Sequence, residues 1–220
     1  MSFHSKLTTV IRDPKRAILY VILGRPNYER VMLELGFIHQ CLQIKPQTPL
    51  EDHALKCTDI SEHLVTLYML TKQMKLLNVL ELGVRTAEST TVFLSAAKEN
   101  GGTVTSIDIM DCPEAVSKVD SLALSKWWHF IKGDDLEVEW NQSIDHLFID
   151  TSHTYDHTLK ELKKFEPWVN AGGIITLHDI VAFPDVLRAI NDYLGERKEL
   201  QLYKYFHSNG LAVIFKGTKI

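Results

Sequence analysis

The chain has 220 residues, of which 45% are hydrophobic and 24% are charged, and its formal net charge is −4. This composition is typical of a globular protein with a substantial core, and the length predicts one main domain with room for a small appendage. The slight negative charge and the absence of a basic run argue against a nucleic-acid partner. The longest early apolar run, residues 17–23, is too short to span a bilayer.

The first 58 residues are less regular than the rest of the chain. Two mixed apolar patterns there indicate helices, and the segment Lys45–Pro49, which contains two prolines, is typical of a loop between structural units. We therefore predict an N-terminal helical appendage or lid over residues 1–58. The main domain is predicted over residues 59–220, and it opens with a helix that runs to about Leu76.

A strand–helix–strand unit follows this helix. Asn78–Leu82 reads as a buried strand, Gly83 begins a turn into a helix to about Lys98, and a second strand over Thr103–Ile107 ends at Asp108. A glycine at such a turn lets the backbone approach a ligand, and the helix N-terminus offers free N–H groups. An acid after the second strand can accept hydrogen bonds from both hydroxyls of a ribose.

The turn lacks the glycines of a dinucleotide fingerprint. Gly83 stands alone and is followed by Val84-Arg85, whereas a pyrophosphate cradle needs several glycines. A ligand that has a ribose but no pyrophosphate fits better, and S-adenosylmethionine is such a ligand. A dehydrogenase is therefore the least favoured enzyme class, while a tight turn without a ligand stays open as the alternative for Gly83.

A third strand is predicted over Trp127–Ile131, with a helix over Pro113–Leu124 before it. The strand is followed by Gly133-Asp134-Asp135, so that an acid here lies beside the same crevice as Asp108. Such an acid can reach the amino group of an adenine. A polar turn with no ligand is the competing interpretation.

The centre of the sequence contains a second strand–helix–strand unit. The apolar runs His146–Ile149 and Ile174–Leu177 read as strands, and a helical pattern between them is predicted to end at Gly172-Gly173. A crossover of this kind makes the two strands parallel.

Four residues with acid–base or metal-binding side chains stand at the carboxyl ends of these two strands: Asp150, His153, His178 and Asp179. Because ligands of open α/β sheets lie beyond the carboxyl ends of strands, we expect the four side chains to converge on one crevice. His157, one helical turn beyond His153, is expected to be only solvated.

The remainder of the chain predicts a helix and a hairpin. Ala182–Leu194 has a helical pattern, and the strand-like runs Glu199–Phe206 and Leu211–Lys216 flank an Asn-Gly turn signal. We expect these two strands to close the sheet as an antiparallel pair.

These motifs together resemble class I S-adenosylmethionine-dependent methyltransferases. The resemblance is carried by VLELGVRTAES at residues 79–89, by Asp108, by Gly133-Asp134, by FIDTSH at residues 148–153 and by GGIITLHDI at residues 172–180. It is strongest to the metal-dependent O-methyltransferases that include macrocin-type sugar methyltransferases and proteins labelled cephalosporin hydroxylase. It implies an α/β fold of the Rossmann-like, doubly wound type, with a mostly parallel seven-stranded sheet and an antiparallel C-terminal strand.

The resemblance also implies roles for individual residues. Glu81 and Gly83 would line the methionine part of the cofactor, Asp108 would bind the ribose and Asp134 the adenine. Asp150 and Asp179 would hold a divalent cation, with His178 as a further ligand, and His153 would be the general base. Relatives usually carry an acid where this chain has His178, and an imidazole there shifts the metal preference from magnesium towards manganese, iron or zinc.

The function predicted from these roles is metal-assisted transfer of a methyl group from S-adenosylmethionine to a hydroxyl of a small molecule, either a sugar or polyol or a catechol-like ring. Two alternatives stay open. One is a non-haem iron oxygenase that uses His153, His178 and one aspartate. The other is a module that binds S-adenosylmethionine without catalysis.

The sequence also bears on the location of the protein. The cysteines Cys41, Cys57 and Cys112 are scattered and lack metal-type spacing, and the first ten residues show no secretory leader. We therefore predict reduced thiols and a cytoplasmic protein without a membrane span. A homo-oligomer is compatible with the sequence, which neither requires nor excludes it.

Overall fold

A computed structural model describes residues 58–195, 197 and 199–217 of the chain. The appendage predicted over residues 1–58 lies outside the described residues but for Thr58, so it stays a prediction. None of the helices in the described ranges is long and apolar enough to cross a membrane.

Seven strands form one sheet in the spatial order β3-β2-β1-β4-β5-β7-β6. Strands β1 to β5 are parallel to one another, whereas β7 runs antiparallel to both β5 and β6. The predicted Rossmann-like sheet with a reversed C-terminal strand is confirmed. The strands are β1 Asn78–Leu82, β2 Thr103–Asp108, β3 Trp128–Lys132, β4 Ile144–Ile149, β5 Val169–His178, β6 Leu200–Tyr205 and β7 Leu211–Lys216.

Five α-helices accompany the strands in the described part of the chain. Several begin with a recognisable signal: Thr154 caps α4 by accepting a hydrogen bond from the His157 N–H, and a proline opens α3 and α5. The helices are α1 Ser61–Gln73, α2 Glu88–Asn100, α3 Pro113–Ser121, α4 Tyr155–Phe165 and α5 Pro184–Leu194.

The sheet is covered on both faces, as its strand residues indicate. Successive side chains of a strand point to opposite faces. Accordingly, Val79 of β1 joins a core with Phe93 of α2, whereas Leu80 and Leu82 join a second core with Leu162 of α4. Helices α1, α2 and α3 contribute to the first core, and α4 and α5 to the second.

The end of α4 differs from the prediction. The helix stops at Phe165, a short 3₁₀ turn occupies Glu166–Trp168, and the pair Gly172-Gly173 lies inside β5 instead of ending the helix. Pro167 explains the early stop, because proline cannot donate the backbone hydrogen bond that would continue an α-helix. A Cβ on Gly173 would lie 2.7 Å from the backbone oxygen of Asp145, so the glycine serves the close pairing of β4 and β5.

Candidate functional site

A cleft of about 430 Å³ lies at the carboxyl ends of the five parallel strands. Its walls come from the loops that follow β1 to β5 and from the residues just before α1. The structure brings six of the predicted site residues to this cleft: Gly83, Asp108, Asp134, Asp150, His153 and Asp179. The topology explains this, because the carboxyl ends of parallel strands meet at one edge of the sheet.

Contacts within the protein require a glycine at position 83. Its φ angle is +90°, and a Cβ there would lie 2.1 Å from the backbone oxygen of Asp150. A backbone hydrogen bond from the Asp150 N–H to the Leu82 carbonyl ties the end of β4 to β1, and one from the Gly83 N–H to the Ile107 carbonyl ties the end of β1 to β2. The glycine is therefore required by the packing of β1 on β4, whether or not a ligand approaches it.

Asp108 organises the turn after β1. Its carboxylate accepts hydrogen bonds from the backbone N–H groups of Val84 at 2.8 Å, Arg85 at 3.2 Å and Met110 at 2.8 Å. Burial opposes ionisation, but these three donors outweigh it and hold the pKa of Asp108 below its ordinary value. An ionised acid therefore faces the cleft.

Glu81 lies in a different place from the one predicted. It is fully buried and does not line the cleft. Its carboxyl accepts hydrogen bonds from the hydroxyls of Ser89, Thr90 and Ser106, at 2.6–2.8 Å. Burial raises the pKa of Glu81 to about 7, although the three donors favour the ionised form. Strand alternation is the reason, since Glu81 shares the face of Val79 and points towards α2.

Arg85 is the only lysine or arginine among the described residues that line the cleft. Its two terminal guanidinium nitrogens donate to the carboxylate of Asp59, at 2.9 and 2.7 Å. Acids otherwise dominate the lining: Asp59, Glu88, Asp108, Asp134, Asp135, Asp150 and Asp179. The cleft therefore favours a ligand with a positive charge.

Asp150, His153, His178 and Asp179 form one polar cluster. The Nε2 atom of His153 lies 3.0 Å from Asp150 Oδ1 and 3.0 Å from Asp179 Oδ2. The Nδ1 atom of His178 lies 3.6 Å from Asp150 Oδ1 and 3.4 Å from Asp179 Oδ1. His178 is buried behind the cleft, and its Nε2 lies 3.2 Å from the carbonyl oxygen of Ser208, to which it can donate.

The charges of this cluster are strongly coupled. Burial disfavours a charged His153, but its hydrogen bonds to Asp150 and Asp179 and their negative charges outweigh burial and raise its pKa to about 9. Burial likewise opposes ionisation of Asp150, but hydrogen bonds to His153 and His178 lower its pKa to about 2. The Oδ1 atom of Asp179 is buried and has no hydrogen-bond partner. The cluster thus holds an excess of acceptors that a cation would satisfy.

Two residues of the cluster have left-handed backbone conformations, with φ of +55° at His153 and +64° at Asp179. Such values are uncommon outside glycine and are found at functional sites that the surrounding structure supports. Here the support includes Phe183, whose backbone N–H donates to the Asp179 carbonyl and whose ring stacks on His153 at 4.6 Å. Phe183 was not predicted as a site residue, because no spacing rule connects it to His153.

A second cluster was also missed, and it consists of Asp135, His157 and Glu161. The Nε2 atom of His157 lies 3.0 Å from Asp135 Oδ1 and 3.6 Å from Glu161 Oε1. The expectation that His157 is only solvated is therefore wrong. A sequence signal existed, since residues 157 and 161 are four apart and share one helix face.

The fold and the site together define a class of protein. A seven-stranded sheet of this order, with a cleft beyond the parallel strands and an acid after β2, has the architecture that the resemblance implied. Residues 80–180 match the family model Methyltransf_24, described as a methyltransferase domain. The sequence of residues 80–180 is therefore that of a methyltransferase domain.

Solved structures share this fold. A Podospora anserina methyltransferase, PaMTH1, bound to S-adenosylhomocysteine, has a TM-score of 0.61 and 11% identity, over 86% of this chain and 88% of that one. The O-methyltransferase TomG from Streptomyces achromogenes, in complex with S-adenosylmethionine, has a TM-score of 0.63 and 14% identity, over 86% and 98%. An O-methyltransferase from Bacillus cereus has a TM-score of 0.58 and 14% identity, over 84% and 90%. No curated protein matches the chain.

Proposed function

We propose that the protein transfers a methyl group from S-adenosylmethionine to a hydroxyl of a small molecule, with the help of a divalent cation. The observation that carries this proposal is the meeting of Asp150, His153, His178 and Asp179 at the edge of the cleft. Two of the similar structures are described as O-methyltransferases, which agrees with an oxygen acceptor.

In this proposal the loops after β1, β2 and β3 bind the cofactor. Asp108 accepts hydrogen bonds from the ribose hydroxyls, and Asp134 accepts one from the adenine amino group. The turn at Gly83 lies against the methionine part, and Glu81 supports it from behind by fixing Ser89 and Thr90. The acidic lining suits the positive charge of the sulfonium.

The residues proposed to hold the cation are Asp150, Asp179 and His178. One ligand atom from each lies within 4.8 Å of the others, and the unpartnered Oδ1 of Asp179 fits a cation. Two carboxylates suit magnesium, whereas the imidazole favours manganese, iron or zinc. When bound, a divalent cation supplies a positive charge that favours the deprotonated form of an acceptor hydroxyl.

His153 is the proposed general base. Its Nε2 points to the space between Asp150 and Asp179, where an acceptor hydroxyl would come next to the cluster. The stack on Phe183 and the left-handed backbone fix the ring, so that, once the ring is neutral, Nε2 can take the proton with little rearrangement. A vicinal diol on a sugar or polyol and a catechol-like ring both present two neighbouring oxygens, and both belong to the proposed acceptor class.

The first test is metal-dependent methyl transfer by the purified protein. S-adenosylmethionine with a labelled methyl group is supplied with sugars, polyols and catechols, in Mg²⁺ or Mn²⁺ and after exhaustive chelation. We expect turnover that chelation removes and that added metal restores. Asp150→Asn is expected to be no more active with metal than the parent protein is after chelation. Its affinity for S-adenosylhomocysteine, measured by calorimetry, is expected to be unchanged. Full activity after chelation contradicts the metal proposal.

The second test concerns cofactor binding through Asp108. Asp108→Ala is expected to weaken binding of S-adenosylhomocysteine by about 1–3 kcal/mol, the cost of leaving buried hydroxyl groups without their acceptor. Asp111→Ala is the matched control, because Asp111 is an exposed acid in the same loop and does not line the cleft. Equal affinity of the two variants in calorimetry would remove Asp108 from the binding site.

A further inference from the structure

The cluster of Asp135, His157 and Glu161 is separate from the residues that the proposed reaction uses. His157 and Glu161 lie on α4 and Asp135 in the loop after β3. Glu161 is fully buried and Asp135 is nearly so, whereas His157 is partly exposed. Asp135 and His157 line the cleft, which gives the cluster a path to solvent.

The cluster has more acceptors than donors. The Oε1 atom of Glu161 accepts a hydrogen bond from the Thr151 hydroxyl, but its buried Oε2 has no hydrogen-bond partner. The nearby Lys164 donates to three backbone carbonyls, those of Asp135, Leu136 and Val138, which uses all three of its N–H groups. Two neighbouring carboxylates that are out of water need a shared cation or proton to be stable.

The geometry of the three side chains suits a metal ion. One ligand atom from each of them lies within 4.8 Å of the others. His157 and Glu161 are four residues apart on one helix face, which lets both reach the same point from a rigid element. We propose that Asp135, His157 and Glu161 form a second divalent-cation site, which ties the loop after β3 to α4. One imidazole and two carboxylates suit Mn²⁺ or Zn²⁺.

The test counts the ions bound by the full chain with Mn²⁺ as the only added metal, by equilibrium dialysis and electron paramagnetic resonance of the free ion. Glu161→Gln is compared with Asp156→Asn, which makes the same acid-to-amide change at an exposed position of the same helix. Glu161→Gln is expected to bind one Mn²⁺ fewer than Asp156→Asn. His157→Ala, at a partly exposed position, is expected to show the same loss and guards against misfolding of the buried variant.

The two cation sites are distinguished by a third variant. Asp150→Asn is expected to lose the other Mn²⁺, which binds at Asp150 and Asp179. The double variant Asp150→Asn/Glu161→Gln is therefore expected to lose two. Mn²⁺ is also expected to raise the melting temperature of Asp150→Asn but not that of the double variant. Equal Mn²⁺ binding by Glu161→Gln, His157→Ala and Asp156→Asn would overturn the second site, and a proton shared by Asp135 and Glu161 would then take its place. That result would leave the site at Asp150 and Asp179 untouched.

Discussion

Replacing His153 with alanine is expected to lower kcat by roughly 10²–10⁴-fold, the usual loss when a positioned general base is removed. The reason is geometric, because the Nε2 atom of His153 lies 3.0 Å from both Asp150 and Asp179 at the rim of the cleft. The measurement is steady-state methyl transfer with saturating S-adenosylmethionine and metal. The parent is expected to gain rate with pH as His153 loses its proton, and the variant should lack this rise.

His129→Ala is the control for this substitution, since His129 is an exposed histidine of β3. It should keep the parent's kcat and pH profile. His153→Ala should still bind S-adenosylhomocysteine, because the proposed cofactor contacts come from the loops after β1, β2 and β3. Full turnover by His153→Ala on its true acceptor would rule out the base assignment.

Replacing Gly83 with alanine is expected to destabilise the fold by about 2–4 kcal/mol and to remove both cofactor and metal binding. The new Cβ would lie 2.1 Å from the backbone oxygen of Asp150, so β1 and β4 must separate. A left-handed alanine costs about 1 kcal/mol, and forcing an atom into a packed interior costs a further 1–3 kcal/mol. Denaturant unfolding measures the first effect, and calorimetry measures the second.

Gly172→Ala separates the two contributions to this cost. Gly172 also has a positive φ, of +84°, but nothing lies within 4 Å of a Cβ built there. Gly172→Ala is expected to lower the free energy of unfolding by only about 1 kcal/mol, which is the cost of the left-handed backbone conformation. If Gly83→Ala is as stable as Gly172→Ala, the close approach of Gly83 to Asp150 does not restrict the residue at position 83.

Local patterns in the sequence were enough to predict most of the fold. The run Asn78–Leu82 has the bounds of β1, and the crossover between the runs that end at Asp150 and His178 implied parallel strands. Strand topology then predicts which loops meet, so the convergence of Asp150, His153, His178 and Asp179 followed from chain order alone. The roles of these residues in binding and catalysis stay predictions.

The parts that were missed depend on side-chain direction or on contacts between distant residues. Glu81 lies only two residues before Gly83 in the chain, yet the alternation of β1 turns its carboxyl away from the cleft. Gly172-Gly173 looks like a helix stop, but Pro167 had already ended the helix. Asp135 and Glu161 meet only because the loop after β3 packs against α4, which no local pattern encodes.

The contact between Gly83 and Asp150 also limits how this protein can change during evolution. A substitution at position 83 would shift Asp150, an acid of the proposed metal site. Inherited changes at the ends of β1 and β4 must therefore be compatible with each other. Positions that have exposed side chains and play no part in the site are under less constraint, and Val181 is one of them. Selection for a new acceptor is therefore expected to act first on such positions, and to leave residues 81–84 as they are.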